Sequence, residues 1–220
     1  MCGAAALTAK SLESYLSRWR VTNYLKDKWT DRYNIRPSQY SPVITAKKEL
    51  KLARFGLLPS WAKDPKISNM MINARSETID EKPSFKKPLK ESRCGVIADG
   101  YYEWMDTGKE KIPYFFRLKS GEPFIFAGLC ERNEIAEEKP VDTYTIITTE
   151  APKELAVIHS RVPVILKPTS EKIWLDPSLK DSDKLVGLLQ PISPKLMEWY
   201  PVSNLVNRPS NDSPEIIKPI

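Results

Sequence analysis

The chain of 220 residues has one histidine, His159, and three cysteines, Cys2, Cys94 and Cys130. A single imidazole excludes a histidine-rich metal site, and three widely spaced cysteines favour neither a zinc site nor a disulfide framework. We therefore expect no metal and no other cofactor. No stretch approaches the roughly 20 apolar residues of a membrane span, and residues 4–7 are too short an apolar run for a secretory signal. We expect an intracellular protein with no membrane partner.

The chain has 41% hydrophobic and 28% charged residues, which is ordinary for a globular domain. Short apolar runs alternate with polar turns, and a few helical patterns lie between them. This arrangement predicts an α+β fold, a single domain with a strongly curved, barrel-like, mainly antiparallel sheet and flanking helices. We place the domain at residues 1–209 and expect residues 210–220, which are polar and contain proline, to form a surface tail.

Local signals add detail to this fold. A first helix is predicted with Thr8 or Ser11 as its cap, because apolar residues at helical spacing follow. Turn sequences at 106–108 and 120–123, each between apolar runs, predict two β-hairpins.

The positive charge is concentrated in one segment. Residues 47–93 hold 12 Lys or Arg and 6 Asp or Glu, so this segment carries the whole net charge of +6. A local basic excess is typical of a face that binds a polyanion. A solvated lysine-rich surface explains the same pattern equally well.

Cys2 directly follows the initiator Met1. Removal of Met1, which a small second residue permits, would leave an amine and a thiol on neighbouring carbons. Such a group condenses with an aldehyde to an imine, and the thiol then closes a thiazolidine ring. Both groups titrate near neutral pH, at ~8 for the amine and ~8.5 for the thiol. A cysteine near a terminus is more often without a catalytic role, so other residues must support this interpretation.

Two further segments carry groups for proton transfer. Glu103 lies between aromatic residues, and partial burial there would raise its pKa towards neutrality, as suits a group that gains and releases protons. The alternative is a strand whose polar face holds Glu103 while Tyr102 and Trp104 enter the core. His159 is the one imidazole candidate, although a lone histidine is more often structural, and Arg161 is an unusual neighbour for a core residue.

Two segments carry groups suited to nucleic acid. In an extended conformation Asn73, Arg75 and Glu77 would share one face, and arginine binds phosphate through a planar fork. The alternative is a surface strand with an Arg–Glu pair. Trp61 lies in a proline-bounded loop of the basic segment, where an exposed ring stacks on bases for ~1–3 kcal/mol. Alternatively, Trp61 fills an apolar gap beneath the loop.

Five motifs occur together in one order: MCG at 1–3, FGLLPSWAK at 55–63, NARSET at 73–78, ADGYYEW at 98–104 and HSRVPVIL at 159–166. In this set the chain resembles the SRAP (SOS response-associated peptidase) domain. The resemblance extends through YNIRP at 33–37 and VSNLVN at 202–207, so it covers nearly the whole chain.

The resemblance implies a sensor of abasic sites in single-stranded DNA that acts in the DNA damage response. Cys2, exposed by removal of Met1, would form a stable thiazolidine crosslink with the abasic aldehyde. The family is nominally a peptidase, with Met1 removed autocatalytically or by an aminopeptidase, and lyase-type or reversal activity is implied as well. The expected partner is single-stranded DNA with abasic sites, bound by a monomer in the nucleus of a eukaryote or in the cytoplasm or nucleoid of a bacterium.

The resemblance also assigns roles to residues. Asn73 would position the cysteine and the sugar, Glu103 would transfer protons, and His159 would assist the Schiff-base steps. The implied DNA contacts are Arg75, Arg161, Trp61, Arg54, Arg36 and Pro37.

One position departs from the family pattern. The family usually has arginine directly after Cys-Gly, whereas this chain has Ala4, which predicts weaker or more salt-sensitive DNA binding. Arg36 is expected to compensate. If Arg36→Ala changes neither the affinity for DNA nor its salt dependence, the compensation hypothesis is wrong.

Other functions remain open at this stage. An N-terminal-nucleophile amidohydrolase would use Cys2 against an amide, although its usual His-Thr-Arg and Asn-Gly elements are missing. For a non-covalent reader of single-stranded or modified DNA, in which Cys2 is incidental, Cys2→Ala would bind abasic and intact strands alike. A general peptidase ranks last, because the sequence supplies no protease triad.

Overall fold

The computed structural model describes residues 2–22, 24–25 and 28–220. Within these ranges there are twelve strands and five α-helices. The strands are β1 (Ala5–Leu7), β2 (Arg32–Ile35), β3 (Tyr40–Thr45), β4 (Leu50–Phe55), β5 (Asn73–Arg75), β6 (Arg93–Ala98), β7 (Gly100–Asp106), β8 (Lys111–Leu118), β9 (Phe124–Asn133), β10 (Val141–Glu150), β11 (Arg161–Pro163) and β12 (Met197–Pro201). The helices are α1 (Ala9–Trp19), α2 (Pro83–Glu91), α3 (Lys153–Ala156), α4 (Pro168–Trp174) and α5 (Ser182–Gly187).

Five strands close into a barrel in the order β10, β4, β3, β6 and β9, and β9 pairs again with β10. Every pair in this ring is antiparallel except β4 with β10. The end of β10 also pairs with β5 and with β11, so three strands meet there. The predicted α+β fold with a barrel-like, mainly antiparallel sheet is confirmed.

A second sheet has the order β12, β8, β7, β1 and β2, and all of its pairs are antiparallel. The short strand β1 lies in its interior, where Ala5 pairs with Ile35 on one side and Tyr101 on the other. The Tyr102 N–H also donates to the Ala4 carbonyl over 3.0 Å. Pairing on both sides therefore fixes the beginning of the chain within a sheet.

Two apolar clusters organise the molecule. One lies between barrel strands and helices, where Leu12 and Leu16 of α1 and Trp174 of α4 pack with Ile97 and Ile125. The other joins the two sheets. Its members from the second sheet include Tyr101, Phe116 and Met197, and its members from the barrel include Val43, Phe126 and Tyr144. Cys2 belongs to this second cluster.

Part of the basic segment, residues 47–93, is buried. Arg93 is 1% exposed, and its guanidinium donates to the carbonyls of Trp174 (2.7 Å) and Leu89 (2.8 Å). Hydrogen bonds from a charged donor stabilise by about 1.5–3 kcal/mol each, so Arg93 ties α2 and α4 to the barrel.

The local predictions have mixed outcomes. Thr8 is the cap of α1, and its hydroxyl accepts from the Ser11 N–H over 3.3 Å. The turn at 106–108 joins the antiparallel pair β7 and β8, as predicted. The hairpin predicted at 120–123 is wrong, because β8 pairs with β7 and β12 while β9 pairs with β6 and β10. That turn carries the chain from one sheet to the other.

Residues 210–220, expected as a tail, contact the second sheet. The Asp212 carboxylate accepts from the Asn34 N–H over 3.0 Å, and also from the N–H of Tyr33 and the guanidinium of Arg32. Ile216 is 1% exposed. This segment thereby satisfies polar groups along β2, the outer strand of that sheet. Across the described ranges, no helix has both the length and the apolar character that crossing a membrane requires.

Candidate active site

Cys2 and Glu103 are brought together by the pairing of β1 with β7. Side chains alternate along β7, so Tyr101 and Glu103 share one face while Tyr102 and Trp104 share the other. Tyr101 packs in the same cluster as Cys2, and Tyr102 packs in a separate cluster with Trp104. Glu103 therefore faces the side of the sheet on which Cys2 lies.

Both groups are removed from solvent. Glu103 is 2% exposed, and its burial raises the pKa of the carboxyl to about 7. The rise predicted from its aromatic neighbours is confirmed. At neutral pH Glu103 is thus populated both as the acid and as the carboxylate, which is the condition for moving protons in either direction.

The thiol responds to the same environment. Burial, and after it the negative charge of Glu103, raises the pKa of Cys2 well above its ordinary value. At neutral pH the sulfur therefore carries its proton. A reaction that uses this sulfur as a nucleophile needs a neighbouring base to accept that proton, and Glu103 is close enough to influence it electrostatically.

Asn73 lies on β5 at the end of the barrel. Its side-chain N–H donates to the Ile146 carbonyl over 3.3 Å, which orients the amide. The amide oxygen Oδ1 is buried, and no donor within the described ranges reaches it. Leaving a buried acceptor unsatisfied costs about 1–3 kcal/mol, so this oxygen is suited to a donor that arrives with a ligand.

His159 follows α3, and the backbone of Arg161 fixes its ring. Nδ1 lies 3.0 Å from the Arg161 N–H and 3.1 Å from the Arg161 carbonyl oxygen, so the backbone of that residue holds this side of the ring whichever nitrogen carries the proton. Burial lowers the pKa of His159, and the positive charge of Arg161 contributes in the same direction. The imidazole is therefore neutral at physiological pH.

The Arg161 side chain forms an ion pair that the sequence did not indicate. Its guanidinium donates to both carboxylate oxygens of Glu77, at 3.1 and 2.9 Å, and to the Thr148 carbonyl at 2.7 Å. Glu77 does not share a strand face with Asn73, because β5 ends at Arg75 and a 3-10 turn over Ser76–Thr78 follows. A phosphate that binds Arg161 would have to compete with this carboxylate, whereas the Arg75 side chain is exposed.

Trp61 stands out from a loop that is well anchored. The Asn133 side chain donates to the carbonyls of Pro59 (2.7 Å) and Ala62 (2.8 Å). Leu58 and Ala62 fill the space beneath the loop and are fully buried, while Trp61 is 57% exposed. The structure therefore presents the indole to solvent on a fixed support.

The remaining predicted DNA contacts are Arg36, Pro37 and Arg54. Arg36 lies over the Trp104 ring, 5.1 Å from its centroid, and donates to Asn34 Oδ1 over 2.6 Å. Pro37 begins the turn between β2 and β3, and Arg54 pairs with Glu137 at 2.6 Å. Arg36 is thus next to the strand that carries Glu103, while Arg54 lies on the barrel.

Two neighbours of Cys2 were not singled out from the sequence. Tyr101 and Tyr144 are buried in its cluster, and Tyr144 stacks on Phe55 with ring centroids 5.0 Å apart. Alternation with Glu103 could have indicated Tyr101. No local signal indicates Tyr144, which comes from the opposite sheet. Within the described ranges, no group of three or more His, Cys, Asp or Glu residues is placed to hold a metal ion.

Comparison with known proteins adds independent findings. The family model described as SOS response associated peptidase (SRAP) matches residues 1–209. The Bacillus subtilis "Abasic site processing protein YoqW" is 44% identical over 223 residues, which cover 99% of each chain. The Gallus gallus "Abasic site processing protein HMCES" is 33% identical over 86% of this chain and 66% of its own. A crystal structure of a Bacteroides thetaiotaomicron protein is similar with a TM-score of 0.90 and 29% identity, and all of both chains is covered.

Proposed function

The chain belongs to the SOS response-associated peptidase family, and on that basis we propose that it processes abasic sites in DNA by capturing their aldehyde on Cys2. Relatives that align with almost the whole chain are named for abasic-site processing. The observation that carries the covalent mechanism is the burial of Cys2 beside Glu103, whose pKa of about 7 suits proton transfer.

The proposed reaction begins once Met1 has been removed, by the protein itself or by an aminopeptidase. The α-amine of Cys2 attacks the aldehyde carbon of the ring-opened sugar, and the adduct loses water to give an imine. The sulfur then adds to the same carbon. A carbon–sulfur bond forms, the thiol proton leaves for a base, and the imine nitrogen gains a proton. The product is a thiazolidine, and the overall reaction releases one water.

Glu103 is the proposed proton carrier in these steps. As the acid it donates to the oxygen that leaves as water, and as the carboxylate it accepts the thiol proton. A positioned acid–base group typically accelerates such steps by about 10²–10⁴-fold. The elevated thiol pKa makes this transfer necessary, because little thiolate is present otherwise.

Asn73 and His159 are proposed to position the reactants. The buried Oδ1 of Asn73 would accept from the Cys2 amine or from a sugar hydroxyl. The neutral His159 ring would act through Nε2, since Nδ1 already faces the Arg161 backbone. Holding amine, thiol and aldehyde together makes the capture effectively intramolecular, and such positioning lowers an activation barrier by up to about 7–11 kcal/mol.

Single-stranded DNA is the proposed form of the substrate. An exposed Trp61 on a fixed loop supplies a stacking surface, and the exposed Arg75 supplies a cation next to Asn73. Arg161 would join a phosphate only if Glu77 releases it, so we assign its first role to fixing His159 and β11.

The test is the intact mass of the protein after incubation with a single-stranded oligonucleotide that contains one abasic site. We expect a species whose mass equals the chain without Met1, plus the oligonucleotide, minus one water. Capping the abasic aldehyde with methoxyamine beforehand should prevent this species. If the protein lacks Met1 and the uncapped DNA is intact, yet no adduct forms, the proposal fails, and glutamine-type amides become the next substrates to test.

Trp61→Ala is expected to weaken non-covalent binding to an unmodified single strand by about 1–3 kcal/mol, because one stacking surface is lost. Fluorescence anisotropy measures this affinity without the crosslinking step. Ile173→Ala, at a 47% exposed apolar residue on α4, is the matched control and should bind as the wild type does. Equal affinities for all three proteins would show that Trp61 does not contact DNA.

A further inference from the structure

A small cavity opens where the end of β8 meets the segment after β11. It has a volume of about 210 Å³, which suits one large side chain. Its apolar lining consists of Leu118, Ile165, Leu166, Pro168, Ile192 and Leu196. Ile165, Leu166 and Ile192 are buried, but Leu196 is 49% exposed and so lies at the opening. The Lys119 N–H donates to the Leu196 carbonyl over 2.9 Å and joins two of the walls.

The rim of this cavity is positively charged. Lys119, Lys167 and Lys195 line it and are exposed, and none of the described residues of the lining is Asp or Glu. None of the ion pairs between described residues uses any of the three lysines. An apolar floor is thus combined with a cationic rim whose charge the protein does not neutralise.

The cavity opens at a distance from Glu103, and its floor residues Ile165 and Ile192 belong to the same apolar cluster as Cys2. On β8, Tyr114 pairs with Glu103, and Leu118 is four residues further along. At about 3.4 Å per residue this places Leu118 roughly 14 Å along the strand from that pair. A ligand at the opening of the cavity would therefore not contact Glu103.

We infer that this cavity docks an acidic peptide of a partner protein, with one large apolar side chain of the peptide seated between Ile165 and Ile192 and its carboxylates against the three lysines. Charge complementarity and the apolar floor together define this occupant. Nucleic acid fits less well. Among the described residues that line the cavity, none is aromatic and could stack on a base, and the Ser120 hydroxyl is the one polar side-chain group besides the lysines. The inference does not depend on the proposed function.

The probe is the fluorescein-labelled peptide Asp-Asp-Asp-Asp-Phe, compared with Asp-Asp-Asp-Asp-Ser in fluorescence anisotropy on the full chain. We expect the first peptide to bind at least about tenfold more tightly, because its aromatic ring is buried. Lys167→Glu and Lys195→Glu should each weaken its binding at least about threefold, and Lys167→Arg should retain it. Lys86→Glu, at an exposed lysine on α2, is the matched control and should have no effect.

Equal binding of the two peptides would overturn the inference, since charge alone would then explain it. The inference would also be overturned if Lys86→Glu weakened peptide binding as much as Lys167→Glu and Lys195→Glu do. The absence of binding to either peptide at millimolar concentration would overturn it as well. Binding of the Lys167→Glu protein to an unmodified single strand is measured in parallel. If this substitution weakens DNA binding while the peptides do not bind, the rim contacts nucleic acid instead.

Discussion

Cys2→Ala is expected to abolish heat-stable crosslinking to abasic DNA completely while still permitting an imine. Alanine is small enough for Met1 to be removed, so the variant keeps a free α-amine that condenses with the aldehyde. Without sulfur no ring closes, and the imine hydrolyses. Denaturing electrophoresis should show no adduct after heating, whereas treatment with borohydride before heating should trap one.

The matched control for this experiment is Cys130→Ala, which removes a half-buried free thiol from the barrel. It should crosslink as the wild type does. A heat-stable adduct in the Cys2→Ala protein would show that sulfur is not needed, and it would place the chemistry on another nucleophile.

Glu103→Gln is expected to slow crosslinking by about a hundredfold at pH 7, because the amide neither donates nor accepts the reacting protons. The wild-type rate should change with pH around an inflection near the pKa of about 7, and the variant should lack this inflection. Single-turnover rates between pH 5 and 9 measure both effects. A variant with the wild-type pH profile would remove Glu103 from the mechanism.

The same substitution is expected to stabilise the fold. The folded-state pKa of Glu103 is raised from 4.5 to about 7, so the folded protein holds this proton more tightly than the unfolded chain does. Stability from this group is fully present below about pH 4.5 and is lost as the pH rises through about 7. At pH 8 Glu103→Gln should therefore gain up to roughly 3 kcal/mol over the wild type. Urea unfolding at pH 4.5 and pH 8 tests this, and an equal gain at both values would contradict it.

Signals that act over a few residues predicted the structure well. The residues that follow Thr8 predict its role as the helix cap, and the composition of residues 106–108 predicts the turn there. The burial of Glu103 was anticipated from the aromatic residues beside it. In each case the physical cause lies within one turn or one strand of the residue concerned.

What escaped prediction depends on residues far apart in the chain. The Glu77 and Arg161 side chains are separated by 84 positions, and no local pattern specifies their pairing. The turn at 120–123 has the composition of a hairpin, but composition fixes only that the chain reverses. Whether β9 pairs with β8 depends on the other strands that compete for it, and β9 pairs with β6 and β10 of the barrel.

The two ends of the chain differ in what they tolerate as sites of fusion. Any peptide that stays attached before Cys2 blocks its amine and would also have to leave a sheet whose strand β1 starts at Ala5. At the other end, the Ile220 N–H donates to the Pro201 carbonyl over 3.2 Å, while the side chain of this residue is 79% exposed. We therefore expect an affinity tag or a fluorescent protein joined after Ile220 to preserve crosslinking, and the same tag left in front of Cys2 to eliminate it.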